Sequence, residues 1–323
     1  MCTAITFKTK NFYFGRNLDL DRSYGEEVVI TPRNYPFALR NGLVINNHYA
    51  MIGTAFVNNG YPLYYDAVNE KGLCIAGLNF VKNACYSDEV TQKINLTQFE
   101  FVPYLLGRCS TVDEAEKEIL KINITKEAFS PDLPIADLHW IIADKNRCLV
   151  IEYVAEGLKI YDNPVGALTN NPPFNMQLFN LNNYLKLSPI EPKNSFSDKL
   201  DLSAYSFGMG ALGLPGDLSS QSRFVRVAFT KLNSVSGDTE EEGVNQFFHI
   251  LESVQQSRGS NKVGNCYEIT VYTSCCNADS GVYYYTTYEN HCISAVDMKK
   301  VDLDGKELLR YKHIKSENIT QQN

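Results

Sequence analysis

The chain opens in short blocks where apolar and polar positions follow a strand pattern. Residues 3–8 and 12–16 read as two short strands around the turn TKN, a hairpin that presents the N-terminus. EEVVITP and YAMIGTAFV continue that pattern, and LYYDAVNEKGLCIAGLNF places NEKG as a turn between two further strands. The period then changes. TQFEFVPYLLGRC reads as a helix with Pro103 near its start or kinking it, and STVDEAEKEILKI begins with Thr111 as N-cap and Glu114 three residues on, a capping box. LHWIIAD and CLVIEYV flank KNR as a hairpin, followed by GLKIYD. Helical spacing returns at about 174–186, 221–234 and 240–256, and the last third carries the strands YEITVYTSC, GVYYYTTYE and CISAVDM before a polar, frayed tail.

Strands, helices, strands, helices and strands, with no repeat and no composition break, predict a single α+β domain over residues 1–323, with layered sheets and helices. The segment 188–216 is long and rich in Pro, Ser, Asn and Gly. Its stretch AYSFGMGALGLPG argues for packing against something, as long connections do when they serve function or assembly, with a disordered surface loop as the competing account.

Composition narrows the class. The chain is 44% hydrophobic and 12% aromatic, enough for a substantial core. A net charge of −7 with no basic stripe excludes nucleic acid as the main partner. It also provides no long-range attraction for an anion, so an anionic ligand needs a local arginine. No secretory signal and no apolar run of about 18 residues is visible, so the expectation is a cytoplasmic protein without membrane contact. Nine cysteines without a CxxC, in a reducing compartment, predict free thiols. The adjacent Cys275 and Cys276 read as neighbouring strand positions rather than a metal or redox pair.

One cysteine stands apart. Cys2 directly follows the initiator methionine. If Met1 is removed, Cys2 carries a thiol and a free α-amine, a nucleophile with its own base. An α-amine titrates at about 7.7–8.0 and accepts a proton near neutrality. A distant histidine is then unnecessary. His139 lies in an apparent core strand, and His48, His249, His291 and His313 form no nucleophile–base pattern. A hairpin at the N-terminus would return Arg16 and Asp19, in GRNLDLD, close to Cys2. A guanidinium beside a thiol favours the thiolate, and a carboxylate beside the amine orients it. A solvated Arg–Asp pair at a strand end accounts for the same residues equally well.

MCTAIT, FGRNLDLD, NEKGLCIAGLNF, ALTNNP, GLPGD and SRFVR stand in this order, with YYYTTYEN near the end. The ordered set resembles the choloylglycine hydrolase family, the bile salt hydrolases and penicillin V acylases, over nearly the whole chain. The resemblance implies an N-terminal-nucleophile hydrolase. Its fold is a four-layer αββα sandwich, two antiparallel sheets between helical layers. By the same resemblance Met1 is removed and Cys2 acts as nucleophile and, through its amine, as base. Arg16 matches the arginine beside the thiol, Asp19 the aspartate that holds the amine, and Asn79 the oxyanion-hole asparagine. Asn170 matches a second polar residue lining the centre, and Arg223 the arginine that completes it. Read without the family, Asn79 is a strand-end residue, Asn170 a turn cap and Arg223 a surface charge.

The resemblance further implies hydrolysis of the amide of conjugated bile salts without metal or organic cofactor. It also implies a homotetramer with 188–216 as its assembly loop. Asn at position 79 favours bile salts over penicillin V, for which Tyr is frequent there. A non-catalytic binding protein on the same scaffold is the alternative from another class. A steroid needs a broad apolar wall. Leu18 and the loop AFSPDLPIADLHW, with Phe129, Leu133, Ala136 and Leu138, are the expected wall, and VNNGYPLYY another. Ordinary core packing is the competing account of each. Arg258 could reach an anionic conjugate end, against the simpler account of a solvated surface arginine.

Overall fold

The computed structural model describes all 323 residues. Strand β1 (Cys2–Lys8) and strand β2 (Phe12–Leu20) form the expected hairpin at the centre of a six-stranded antiparallel sheet. Ala167–Leu168 flanks β1, and Ile269–Asn277, Val282–Thr287 and Asn290–Asp297 follow beyond β2. A second, eight-stranded antiparallel sheet runs from Gly157–Asp162 through Cys148–Val154, Leu138–Ala143, Cys74–Asn79, Tyr61–Asn69, Met51–Asn58 and Glu27–Thr31 to Leu309–Lys312.

Helices cover the outer faces. Helix α1 (Phe101–Arg108) and helix α2 (Val112–Ile119) bury Phe101, Leu105, Val112, Ala115 and Ile119 with Trp140 and Ile142 of the eight-stranded sheet. Helix α3 (Phe174–Asn180) is short. Helix α4 (Ser220–Asn233) and helix α5 (Glu240–Glu252) pack Phe224, Val227, Phe247 and Leu251 on the six-stranded sheet. The inner faces of the two sheets meet through residues such as Ala4, Val68, Ala76 and Ile141. Each such aliphatic side chain contributes roughly 1.5–3 kcal/mol by leaving water, less for alanine. The result is an α+β, four-layer αββα sandwich.

Several local expectations change. Strand β2 continues past residue 16 to Leu20, so Arg16 and Asp19 are both fully buried within it and are not a solvated pair at its end. At α2, Thr111 accepts from the Glu114 N–H, but Glu114 turns back to Ser110 instead of Thr111. The complete capping box is at Thr239 and Glu242 of α5. The predicted helix 174–186 is α3 followed by a 3-10 turn, Leu181–Tyr184. The strand Leu309–Lys312 has no clear alternation, with Leu309 half-buried and the next three residues exposed, and only pairing with Glu27–Thr31 makes it one. In 188–216 the side chains of Phe196, Tyr205, Phe207 and Leu212 are exposed rather than packed against the rest of the chain.

Candidate active site

The β1–β2 register places Cys2 opposite Leu18 and Ala4 opposite Arg16. Side chains directly opposite in an antiparallel pair share a face, and neighbours along a strand alternate. Cys2, Arg16 and Leu18 therefore point toward the second sheet, while Thr3, Asn17 and Asp19 point toward the helices. Asn17 donates to the Leu251 carbonyl of α5 at 3.0 Å, consistent with that division. Gly15 permits the close approach this needs, since a Cβ there would lie 2.0 Å from the Ser274 carbonyl oxygen.

On the inner face Arg16 is fully buried. Its Nη1 donates to the Tyr65 carbonyl at 2.9 Å and the Gly77 carbonyl at 2.6 Å, and its Nη2 has no partner. Both acceptors belong to strands of the second sheet, so one guanidinium links the two layers beside the thiol.

On the helix face Arg223 of α4 is equally buried and is not a surface charge. Its Nη1 donates to the Cys2 carbonyl and to Thr3 Oγ1, and its Nη2 to Asn170 Oδ1 at 2.7 Å. Burial pulls the guanidinium below its usual range, and the Asp19 charge opposes that shift. Asn170 Oδ1 also accepts the Cys2 backbone N–H at 2.9 Å, and its Nδ2 donates to the Asn79 carbonyl at 2.8 Å. Asn170 thus ties together the first strand, the end of Cys74–Asn79 and α4.

Asp19 Oδ1 accepts from Thr270 Oγ1 at 2.6 Å, while Oδ2 is buried without a partner. Burial pushes this carboxyl up, and Arg223, the chain amine and the Thr270 hydroxyl pull it back. The Met1 ammonium donates to the Asp19 carbonyl at 2.6 Å and to the Glu268 carboxylate, and burial lowers its affinity for a proton.

Cys2, Arg16 and Asn79 open on one cavity of about 270 Å³, lined mostly by apolar residues. All five expected wall residues, Leu18, Phe129, Leu133, Ala136 and Leu138, line it. Leu63, Tyr64 and Tyr65 from VNNGYPLYY do so as well. Asp132, Pro134 and Trp140 of the expected loop and Gly77 also line it, while Tyr24, Phe56, Gln98, Phe99 and Val102 come from outside the segments expected to form the wall. Behind this wall Phe99 meets Tyr61 and Phe129 edge-to-face, and Tyr61 is tilted against Phe129. Arg40 stacks on Phe99 and Phe129 and donates to the Phe129 carbonyl at 2.6 Å, pinning the loop. No local sequence signal marks Glu268 or Arg40, because each is recruited from a distant segment.

Other candidates fall outside. His139 is a core residue, hydrogen-bonded to Glu152 and the Thr169 carbonyl and stacked on Phe80. Arg258 stacks on Tyr288 at 4.9 Å and does not line the cavity. Cys275 and Cys276 are buried free thiols in one strand, and all nine cysteines are unpaired. No group of three or more His, Cys, Asp or Glu is placed to hold a metal. No helix is long and apolar enough to cross a membrane.

Comparison with known proteins places this geometry. The profile of linear amide C–N hydrolases, choloylglycine hydrolase family, matches residues 2–311. The chain is 57% identical to the bile salt hydrolase/transferase of Lactiplantibacillus plantarum, over 96% of each chain. It is 37% identical over the full length of both chains to the bile salt hydrolase/transferase of Clostridium perfringens. A structure of the conjugated bile acid hydrolase from Clostridium perfringens superposes over 100% of both chains with a TM-score of 0.92, at 37% identity. The penicillin V acylase of Agrobacterium tumefaciens, 20% identical, shares the fold with a TM-score of 0.75 over 98% of this chain and 95% of its own.

Proposed function

The chain belongs to the choloylglycine hydrolase family of linear amide C–N hydrolases, and from that premise we propose that it cleaves the amide joining a bile acid to glycine or taurine, through Cys2 once Met1 has been removed. The observation that carries the reading is the shared cavity. A thiol, a buried guanidinium and an asparagine line one and the same mostly apolar space, the kind of wall a steroid needs.

In this reading the substrate carbonyl carbon lies against the Cys2 sulfur. The sulfur attacks, and the thiol proton passes to the Cys2 α-amine. Arg16 favours the thiolate by its charge. The tetrahedral oxyanion accepts hydrogen bonds from the Asn79 side chain and a backbone N–H. Losing one such donor costs about 2.7–4 kcal/mol of barrier stabilisation. The ammonium then protonates the departing amide nitrogen, the C–N bond breaks, and a thioester remains on Cys2. The neutral amine takes a proton from water, the hydroxide adds to the thioester, and collapse releases the bile acid and returns the thiol. Asp19 orients the amine, and its unpaired buried oxygen supports that role. Asn170 and Arg223 hold the first strand so that sulfur and nitrogen face the substrate.

The same reading makes the chain one unit over residues 1–323, cytoplasmic and active in lipid metabolism. It forms a homotetramer in which the exposed aromatic residues of 188–216 are covered by other copies. The test is a panel of glycocholate, taurocholate and penicillin V assayed beside the mass of the mature N-terminus. Turnover of the two conjugates by chains beginning at Cys2 is expected. Turnover of penicillin V alone would move the substrate to a phenoxyacetyl amide, and full activity with Met1 retained would overturn the mechanism.

A further inference from the structure

Between the sheets lies a buried carboxylate that the chemistry above does not use. Asp66, on Tyr61–Asn69 of the eight-stranded sheet, is 1% exposed. Three hydroxyls of the six-stranded sheet donate to it: Tyr272 at 2.5 Å, Ser274 at 3.0 Å and Tyr283 at 2.7 Å. Ser274 Oγ in turn accepts the Arg16 backbone N–H at 3.1 Å. The residue before Asp66 supplies one carbonyl to the Arg16 guanidinium. Asp66 itself does not line the substrate cavity.

A carboxylate with three donors is costly to bury, and apolar residues of similar volume would serve stability as well or better. Arg16 presents the complementary problem. It is always charged, is fully buried, and has only neutral carbonyls as direct partners. Asp66 and Asp19 are the two carboxylates whose charges act on it; Asp66 is linked to its strand through Ser274, while the β2 pleat turns Asp19 to the other face. We propose that Asp66 is a positioning residue for Arg16: it supplies the inner-face counter-charge of the guanidinium and, through Ser274, fixes the strand that carries it beside Cys2.

Other groups facing Asp66 do not replace it. Tyr272, Ser274 and Tyr283 are its donors. Cys276 is a buried thiol whose proton burial retains. His313 is one hydroxyl further away, reached through Thr54, which contacts both Tyr283 and the imidazole. Burial pushes the Asp66 carboxyl up, and Arg16 with the three hydroxyls holds it down. We take the anionic form, because three hydroxyls donate to its two oxygens, an arrangement that favours the carboxylate.

The inference rests on the reading of Cys2 as nucleophile and is tested separately from it. Asp66→Asn is made in the full-length, processed protein, and turnover is expressed per titrated Cys2 thiol. With the counter-charge gone, the thiolate becomes the inner-face anion of Arg16. The acid limb of kcat/KM is expected to move to lower pH. At the optimum kcat is expected to fall about 10- to 100-fold, the cost of letting a catalytic group shift by up to about 1 Å, with KM within about twofold. A variant that melts earlier but keeps the wild-type kcat and acid limb would overturn the proposal. If Asp66→Asn does not fold, Tyr283→Phe removes one donor and keeps the ring. A several-fold loss of kcat at constant KM supports the proposal, and an unchanged kcat overturns it. Turnover that survives Cys2→Ala would instead remove the underlying reading.

Discussion

The guanidinium of Arg223 donates to the backbone carbonyl of Cys2 at 2.5 Å, across 221 positions of sequence. Its other amino nitrogen holds Asn170 Oδ1, which accepts the Cys2 N–H. A helix residue thus secures both backbone polar groups of the first β-strand residue, the carbonyl directly and the N–H through Asn170. Removing it leaves a buried carbonyl, the Thr3 hydroxyl and the Asp19 carboxylate undercompensated. Arg223→Ala is expected to lower stability by about 3–5 kcal/mol, as breaking a buried charge partnership does, and to lower kcat. Denaturant unfolding checks the first and single-turnover kinetics the second. Arg223→Lys keeps the charge but cannot span the three acceptors, and is expected to recover stability in part and turnover little.

Cys2 is buried beside Ala4 and Leu18 in the core, and alanine fits its place with a small loss of volume. Cys2→Ala is expected to keep the fold, read by circular dichroism and melting, and to abolish hydrolysis of every conjugate. Wild-type-like turnover in this variant would exclude a thioester on Cys2.

Asn79 ends its strand at the cavity and lends its carbonyl to Asn170. Asn79→Tyr keeps that backbone contact but replaces the side-chain amide by a bulky phenol within the cavity. Bile-salt hydrolysis is expected to fall about 100-fold or more, the cost of one oxyanion donor. The ratio of penicillin V to glycocholate turnover should rise. An unchanged ratio would show that position 79 does not set the acyl preference.

His313 follows the last strand and is buried against the Tyr285 ring at 4.6 Å and the Tyr272 ring at 5.3 Å. Burial pushes its imidazole down to about 4. A group depressed in the folded state binds its proton more readily when unfolded, so stability falls as pH falls. The contribution is complete above about 6.5 and is lost as pH drops toward 4, at most on the order of 3 kcal/mol. Melting curves between pH 7 and 4 should therefore fall more steeply for the native chain than for His313→Phe. Parallel curves would place the acid sensitivity elsewhere.

How much of this was legible beforehand varies with the range of the interaction. Element types in β1, β2, Glu27–Thr31, Met51–Asn58 and the α1, α4 and α5 helices follow from periodicity, since a strand or helix face is read within a few residues. The hairpin placed Arg16 near Cys2 for the same reason. The family resemblance then pointed to Asn79, Asn170 and Arg223, which as single residues carry no signal. Thr111 misled in part, because Glu114 had a nearer donor in Ser110. The Leu309–Lys312 strand escaped because its exposed outer face carries no alternation.

By itself the sequence determined the local elements, the abundance of apolar surface and the presence of a cysteine second in the chain. Only the tertiary structure decided that β2 runs on to Leu20, so that its pleat sends Arg16 inward and Asp19 toward the helices. It alone linked Asp66 to the Arg16 strand through Ser274 and brought Glu268 to the chain amine and Tyr24, Phe56, Gln98, Phe99 and Val102 to the cavity. The reason is physical. Side-chain alternation is set by neighbours one or two residues away, whereas a buried charge finds its partners through the packing of layers, which a linear pattern does not encode.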